Sequence, residues 1–250
     1  MSEVYQKLFE EYIQKSNLTN NKKPERFIEI LHTHKGIIDF LHIDDEDNME
    51  LRNPLIVVIG DSVSGGHFEM LDSEHMLSAQ DLEDSYVDKF RYLLHDKYPM
   101  TTPSIINSGI AGDNIHGMNK RLDRDVISHQ PDLVIINATL NWSINRGTLE
   151  NYASELESTI MRILQGTQAE IILMTPNMAI ATEKDPNFCK RAEVVRNLAQ
   201  KYDLPLADVY KMWEDVLLKE EDLPDLLSNQ ENHPTPLGHT YMARAIMQCF

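Results

Sequence analysis

Cysteine is scarce in this chain: two residues in 250, Cys189 and Cys249. Two thiols make no disulfide framework, and both are expected to sit reduced in the core. Basic residues are also few, with 23 Lys and Arg against 40 Asp and Glu and a net charge of −17. A phosphate backbone demands a basic face, so nucleic acid is excluded as a partner, and adsorption to anionic membrane is disfavoured. No apolar run reaches the roughly 18 residues of a membrane-spanning helix. The opening Met-Ser-Glu-Val-Tyr has no basic stretch followed by an apolar one, so the expectation is a cytoplasmic protein. There is no internal repeat, no low-complexity linker and no phosphate-cradling Gly-x-x-x-x-Gly-Lys-Ser/Thr loop. Gly109-Ile-Ala-Gly112 falls short of a dinucleotide-binding fingerprint.

What is present is a regular alternation from residue 55 onward. Strand-like runs occur at Leu55–Ile59, Ser104–Asn107, Leu133–Asn137, Ile171–Met174 and, more weakly, Pro205–Val209. Between them lie helical patterns: Tyr86, Val87, Phe90, Leu93 and Leu94; then Met118, Leu122 and Val126. Tyr152, Leu156, Ile160 and Ile163 form a third, and Val194, Val195, Leu198 and Ala199 a fourth. A last helix is expected over about 236–248. Continuous apolar strands alternating with amphipathic helices imply right-handed βαβ units and a parallel sheet covered on both faces. The expected fold is therefore a three-layer α/β/α, flavodoxin-like five-stranded parallel sheet over residues 51–250. Residues 1–50 form an N-terminal extension of less legible pattern, packed on that core. It holds a first helix around Val4, Leu8, Tyr12 and Ile13, then a helix and strand over Phe27–Leu41. Asp44, Asp45, Glu46 and Asp47 read as a solvated acidic turn, lacking the ligand spacing of a calcium loop. His32 and His34 alternate as on one strand face, but no further ligands close a zinc site.

Four segments carry chemistry. Gly60-Asp61-Ser62 follows the first strand directly, so the serine sits at a carboxyl end, where open α/β sheets gather their chemistry. Asn107-Ser-Gly-Ile-Ala-Gly112 follows the second strand and Asn137-Ala-Thr-Leu-Asn141 the third, so Ser62, Gly112 and Asn141 belong to loops on one edge. Asn232-His233-Pro234 precedes the last helix. A serine needs a base to take its proton, and the alkoxide that develops on the substrate needs fixed donors. His233 supplies the base, the Gly112 backbone N–H and the Asn141 side chain the donors. Taken singly, each has a structural reading: Ser as helix cap, Gly as turn residue, Asn as cap. The surroundings of Ser62 read Gly-Asp-Ser-Val-Ser, which is not the Gly-x-Ser-x-Gly nucleophile elbow.

On these four segments the chain resembles the SGNH hydrolases, the GDSL esterase/lipase family, from Leu55 to the C-terminus. The resemblance implies an ester hydrolase acting through an acyl-enzyme, with no metal or other cofactor, Ser62 as nucleophile and His233 as base. The family includes carbohydrate acetylesterases, lysophospholipases, thioesterases and lipases. With no export signal and no long apolar lid segment in the sequence, a small polar acyl ester is expected as substrate, acetylated carbohydrate first, with a lysophospholipase or thioesterase of the same fold as the alternative. A non-catalytic binding protein on this fold is the second alternative. Two positions depart from the family pattern. Gln230 stands where many members carry an aspartate that orients the histidine, leaving Glu231, Asp225 or a backbone carbonyl for that task. Leu140-Asn141-Trp142 replaces the usual Asn-Asp, and Trp142 is a candidate pocket wall. With His233 as base, activity is expected to fall on protonation near pH 6 to 7, about the ordinary imidazole range.

Overall fold

The computed structural model describes residues 22–33, 52–72, 77–142, 147–179, 188–217, 223–229 and 231–250. The central sheet holds β1 (Leu55–Gly60), β4 (Ser104–Gly109), β5 (Leu133–Asn137), β6 (Glu170–Met174) and β7 (Leu206–Ala207), all parallel, in the order β4-β1-β5-β6-β7. A second, antiparallel pair, β2 (His67–Asp72) and β3 (Leu77–Gln80), stands apart from it.

The strands divide their side chains between two cores. Ile56, Val58, Leu133, Ile135, Ile172 and Met174 point to one face; Val57, Ile59, Val134, Ile136, Ile171 and Leu173 point to the other. This is why the strands read as unbroken apolar runs rather than alternating ones. Each such side chain contributes on the order of 1.5–3 kcal/mol by leaving water. The first face is covered by α1 (Glu25–Thr33), α2 (Tyr86–Lys97), α6 (Val209–Leu217) and α7 (Pro236–Met247). The second is covered by α3 (Ile115–Asp125), α4 (Leu149–Gly166) and α5 (Phe188–Lys201). The three-layer arrangement expected from the alternation is the one observed. The helix starts obey local chemistry: Ser85, Asn114, Thr148 and Thr235 cap α2, α3, α4 and α7, and Pro236 occupies the first turn of α7.

Register places the chemistry. Gly60 lies opposite Gly109 on one side and Asn137 on the other, so the three strands end level and their loops open on one edge. Gly109 has a steric reason for its identity. A Cβ there would come within 2.4 Å of the Gly65 nitrogen and 2.9 Å of the Asp61 carbonyl oxygen, so only glycine lets the turn after β1 settle against β4.

Three expectations change. The weak run Pro205–Val209 gives a strand of only two residues. Asp208 turns the chain, its carboxylate accepting from Lys211 N at 3.1 Å, and Val209 already opens α6. His32 lies on α1 rather than on a strand, its ring edge-on to Tyr98 at 5.2 Å, and His34 lies outside the described residues. Cys249 is buried as expected, but Cys189 is exposed at the start of α5. The helix around Val4 and the acidic turn at Asp44–Asp47 also lie outside the described residues. Within α1, Phe27 is fully buried against Phe250, and its N–H donates to Glu170 at 2.6 Å.

Candidate active site

The chain leaves β1 in a tight turn. Gly65 N donates to the Asp61 carbonyl at 2.9 Å, and Asp61 Oδ1 accepts from Val63 N at 3.0 Å. Asn107, on β4, donates its side-chain amide to the Ser64 carbonyl at 2.7 Å. The turn is thus held by the backbone and by a neighbouring strand, and Ser62, 5% exposed, is fixed at its tip.

His233 is brought to that tip from the far end of the chain. Its Nε2 lies 3.0 Å from Ser62 Oγ, across 171 positions of sequence. The loop carrying it is pinned by Asn229, whose Oδ1 accepts from Glu231 N, Asn232 N and His233 N at 3.0, 2.8 and 2.9 Å. Asn177 adds a bond to the Asn232 carbonyl at 2.8 Å. On the other side of the imidazole, Nδ1 meets the backbone carbonyl of Phe68, on β2, at 2.7 Å. A carbonyl only accepts, so Nδ1 carries the proton and Nε2 presents its lone pair to the serine hydroxyl. That tautomer is the one a general base requires.

Neither acid that the sequence offered takes the orienting role. Glu231 is exposed, as is Asp225, whose backbone carbonyl accepts from Thr235. Gln230 lies outside the described residues. Among the described residues no carboxylate bonds to the His233 ring. Burial holds the His233 pKa below 6.5, with His67 adding to the shift, while the Phe68 bond and Glu231 oppose it.

His239, one turn into α7, buttresses this arrangement. It is fully buried, its Nδ1 accepts from Tyr86 N at 3.0 Å, and its ring lies 4.8 Å from that of Phe68. Burial, helped by Lys89 and His233, drives its pKa down to about 3, so it stays neutral. Tyr86 in turn shares a 2.7 Å hydrogen bond with Ser64.

Gly112 and Asn141 form a second, linked group. Gly112 has φ +74°, in the left-handed region that favours glycine, and the space where a Cβ would stand is open. Asn141 donates one amide hydrogen to the Asp113 carbonyl at 2.9 Å, which ties the loop after β5 to the loop after β4. An amide has two such hydrogens, and among the described residues the second meets no partner. Arg121 fixes the base of this group. Buried on α3, it donates to Asp113, Asp125, the Ser108 carbonyl and the Gly60 carbonyl, all within 2.9 Å.

Sequence reasoning passed over Phe68, Asn229 and Arg121 as contributors. Phe68 acts through its main chain, which no residue type betrays. Asn229 had a signal: an asparagine followed by backbone N–H groups in a turn is an Asx motif.

A family model described as the GDSL-like lipase/acylhydrolase family matches residues 58–241. The chain belongs to that family. It is a carboxylic ester hydrolase of the GDSL, or SGNH, type. It is 27% identical over 205 residues to an acetylxylan esterase of Geobacillus stearothermophilus, a match covering 77% of this chain and 92% of that one. The crystal structure of that esterase superimposes with a TM-score of 0.64 at 24% identity, over 78% of this chain and 93% of the other. A lipase/acylhydrolase from Enterococcus faecalis matches in fold with the same TM-score, at 22% identity, over 78% and 94% of the two chains. The family match runs from the end of β1 through the Ser62 turn, the other four strands of the sheet and the His233 loop, while α1 precedes it. Among the described residues, no helix is long and apolar enough to cross a membrane.

Proposed function

We propose that this GDSL hydrolase removes short acyl groups, acetyl on carbohydrate first of all, through a Ser62–His233 dyad. The observation that carries the reading is the 3.0 Å approach of Ser62 Oγ to a His233 Nε2 whose other nitrogen is committed to the Phe68 carbonyl. In this reading the Ser62 hydroxyl attacks the ester carbonyl as its proton passes to Nε2. The negative charge that develops on the carbonyl oxygen is met by the backbone N–H groups of Ser62 and Gly112 and the spare amide hydrogen of Asn141. The imidazolium then returns its proton to the departing alcohol, leaving Ser62 acylated. Water, deprotonated by the same nitrogen, releases the acid and restores the hydroxyl.

The Geobacillus relative, named an acetylxylan esterase, supports the choice of substrate. Solved structures of that relative include catalytic mutants in which a serine or a histidine is replaced by alanine. The polar walls next to Asn141, described below, suit a hydroxylated alcohol better than a long hydrocarbon. The test compares 4-nitrophenyl acetate with 4-nitrophenyl octanoate, and acetylated xylooligosaccharide with a lysophospholipid. The acetate is expected to exceed the octanoate in kcat/KM by about tenfold or more, with acetate released from the oligosaccharide. Faster turnover of octanoate and lysophospholipid would replace the carbohydrate reading with a lipid one.

A further inference from the structure

A cavity of about 420 Å³ lies beside the Asn141 loop, lined by Asn114, His116, Trp142, Asn151 and Glu155. It begins one residue beyond Asn141 in the loop after β5 and two residues beyond Gly112 in the loop after β4. Trp142 follows Asn141, and Asn114 follows Asp113, whose carbonyl Asn141 holds. The volume falls within the range of roughly 300–1,000 Å³ usual for small-molecule sites.

The walls are preorganised. His116 Nδ1 meets Glu155 Oε1 at 3.0 Å, and Glu155 Oε2 accepts from Asn119 Nδ2 at 2.6 Å. The carboxylate is therefore held from both oxygens, and the imidazole ring is oriented by it. Asn114 caps α3 with its Oδ1, and Asn151 Oδ1 accepts from Thr148 N in the capping box of α4; among the described residues their amide N–H groups meet no partner. The indole N–H of Trp142 is buried, with no hydrogen-bond partner among the described residues. Trp142 is itself braced by Tyr152, with ring centroids 5.9 Å apart.

This chemistry selects among ligands. An anion would meet Glu155 and a protein of net charge −17. A metal ion would find only one carboxylate and one imidazole, already bonded to each other; no cluster of three or more ligating groups occurs among the described residues. An acyl chain would cover amide, imidazole and carboxylate groups without replacing their bonds to water, at about 1–3 kcal/mol for each. A neutral polyol satisfies all of them, because each hydroxyl both donates and accepts. Trp142, 6% exposed, adds a small apolar surface that the C–H face of a sugar ring can meet.

We infer that this cavity is the alcohol-side subsite, which holds a neutral sugar ring of the substrate against Trp142 while His116, Glu155 and the two asparagine amides bond its hydroxyls. The inference rests on the proposed carbohydrate-ester reading and locates the leaving alcohol within it.

Titration calorimetry of the full chain with xylobiose and with cellobiose reads the subsite without any turnover. His116→Ala and Glu155→Gln are expected to weaken the binding of at least one disaccharide about fivefold or more, with the circular dichroism spectrum unchanged. His116 is exposed, so its truncation leaves the core untouched. Absence of binding of either sugar to the unaltered protein up to about 50 mM, or binding unchanged in both variants, overturns the subsite. Hydrolysis of 4-nitrophenyl acetate by the unaltered protein is measured alongside. That ester carries no sugar, so its failure would count against the ester-hydrolase chemistry and leave the titration to decide the subsite separately.

Discussion

The Nδ1 of His233 lies 2.7 Å from the carbonyl oxygen of Phe68, so a main-chain group of the β2–β3 hairpin stands where many serine hydrolases place a carboxylate. A carbonyl dipole fixes the tautomer and the ring plane. It offers the imidazolium less charge compensation than an aspartate does. In the proposed reading the site is therefore a dyad with a backbone brace.

Replacing the acids near the His233 loop is therefore expected to matter little. Glu231→Gln and Asp225→Asn should each leave kcat within about twofold, whereas loss of a true triad aspartate costs about 10⁴ in kcat. Steady-state rates on 4-nitrophenyl acetate decide it. A drop of about a hundredfold or more in either variant would put an acid back behind the imidazole.

The pH profile follows from the burial of His233. The base works only as neutral imidazole, so activity is lost as pH falls through its pKa. Burial lowers that pKa below 6.5, so the acid limb of kcat/KM should have its midpoint below pH 6.5, more acidic than the ordinary imidazole range suggests. A midpoint above 6.5 would mean that protonated His233 is stabilised by a group the structure does not place there.

Asp61 predicts a dependence of stability on pH. It is buried, its Oδ2 has no hydrogen-bond partner among the described residues, and burial raises its pKa from 3.8 to about 7, with Asp113 adding to the shift. A carboxyl whose folded pKa is raised favours folding most below pH 3.8, and this contribution is lost progressively as pH rises toward about 7. Asp61→Asn keeps an oxygen for Val63 N and removes the ionisation. Its Tm relative to the unaltered protein should therefore rise between pH 5 and pH 8, a window of about three units that spans the folded pKa. A Tm difference that is flat with pH would show that Asp61 does not titrate in that window.

Asn141→Ala tests the donor role assigned to its free amide hydrogen. Loss of one oxyanion donor typically costs about 10²–10³ in kcat, and the fall is expected in kcat rather than KM. An unchanged kcat with a raised KM would make Asn141 a clamp on the Asp113 loop and nothing more.

How much of this could be read from residues alone varies with the kind of group involved. The sheet was legible because strands buried on both faces carry unbroken apolar runs, and the helices because Tyr86–Leu94 and Tyr152–Ile163 keep a helical spacing. Ser62 and His233 were legible because a hydroxyl and an imidazole are side chains in recognisable company, and the structure brings them within hydrogen-bond reach. The hairpin was not. Its strands pair with shifts in register between His67 and Asp72, which breaks the alternation that marks a strand. Its contribution at Phe68 is a carbonyl that every residue possesses. The cavity beside Trp142 was equally hidden apart from the tryptophan, since Asn114, His116, Asn151 and Glu155 come from the first two turns of two helices and meet only when α3 and α4 pack.

The most direct test of the account is covalent. The full chain is treated with a fluorophosphonate, which phosphonylates an activated serine, and the adduct is located by peptide mass spectrometry, with Ser62→Ala and Ser64→Ala treated alongside. One adduct is expected, on Ser62, absent in Ser62→Ala and retained in Ser64→Ala, with hydrolysis of 4-nitrophenyl acetate lost in step with labelling. An adduct on another serine, or ester turnover that survives in Ser62→Ala, would contradict it.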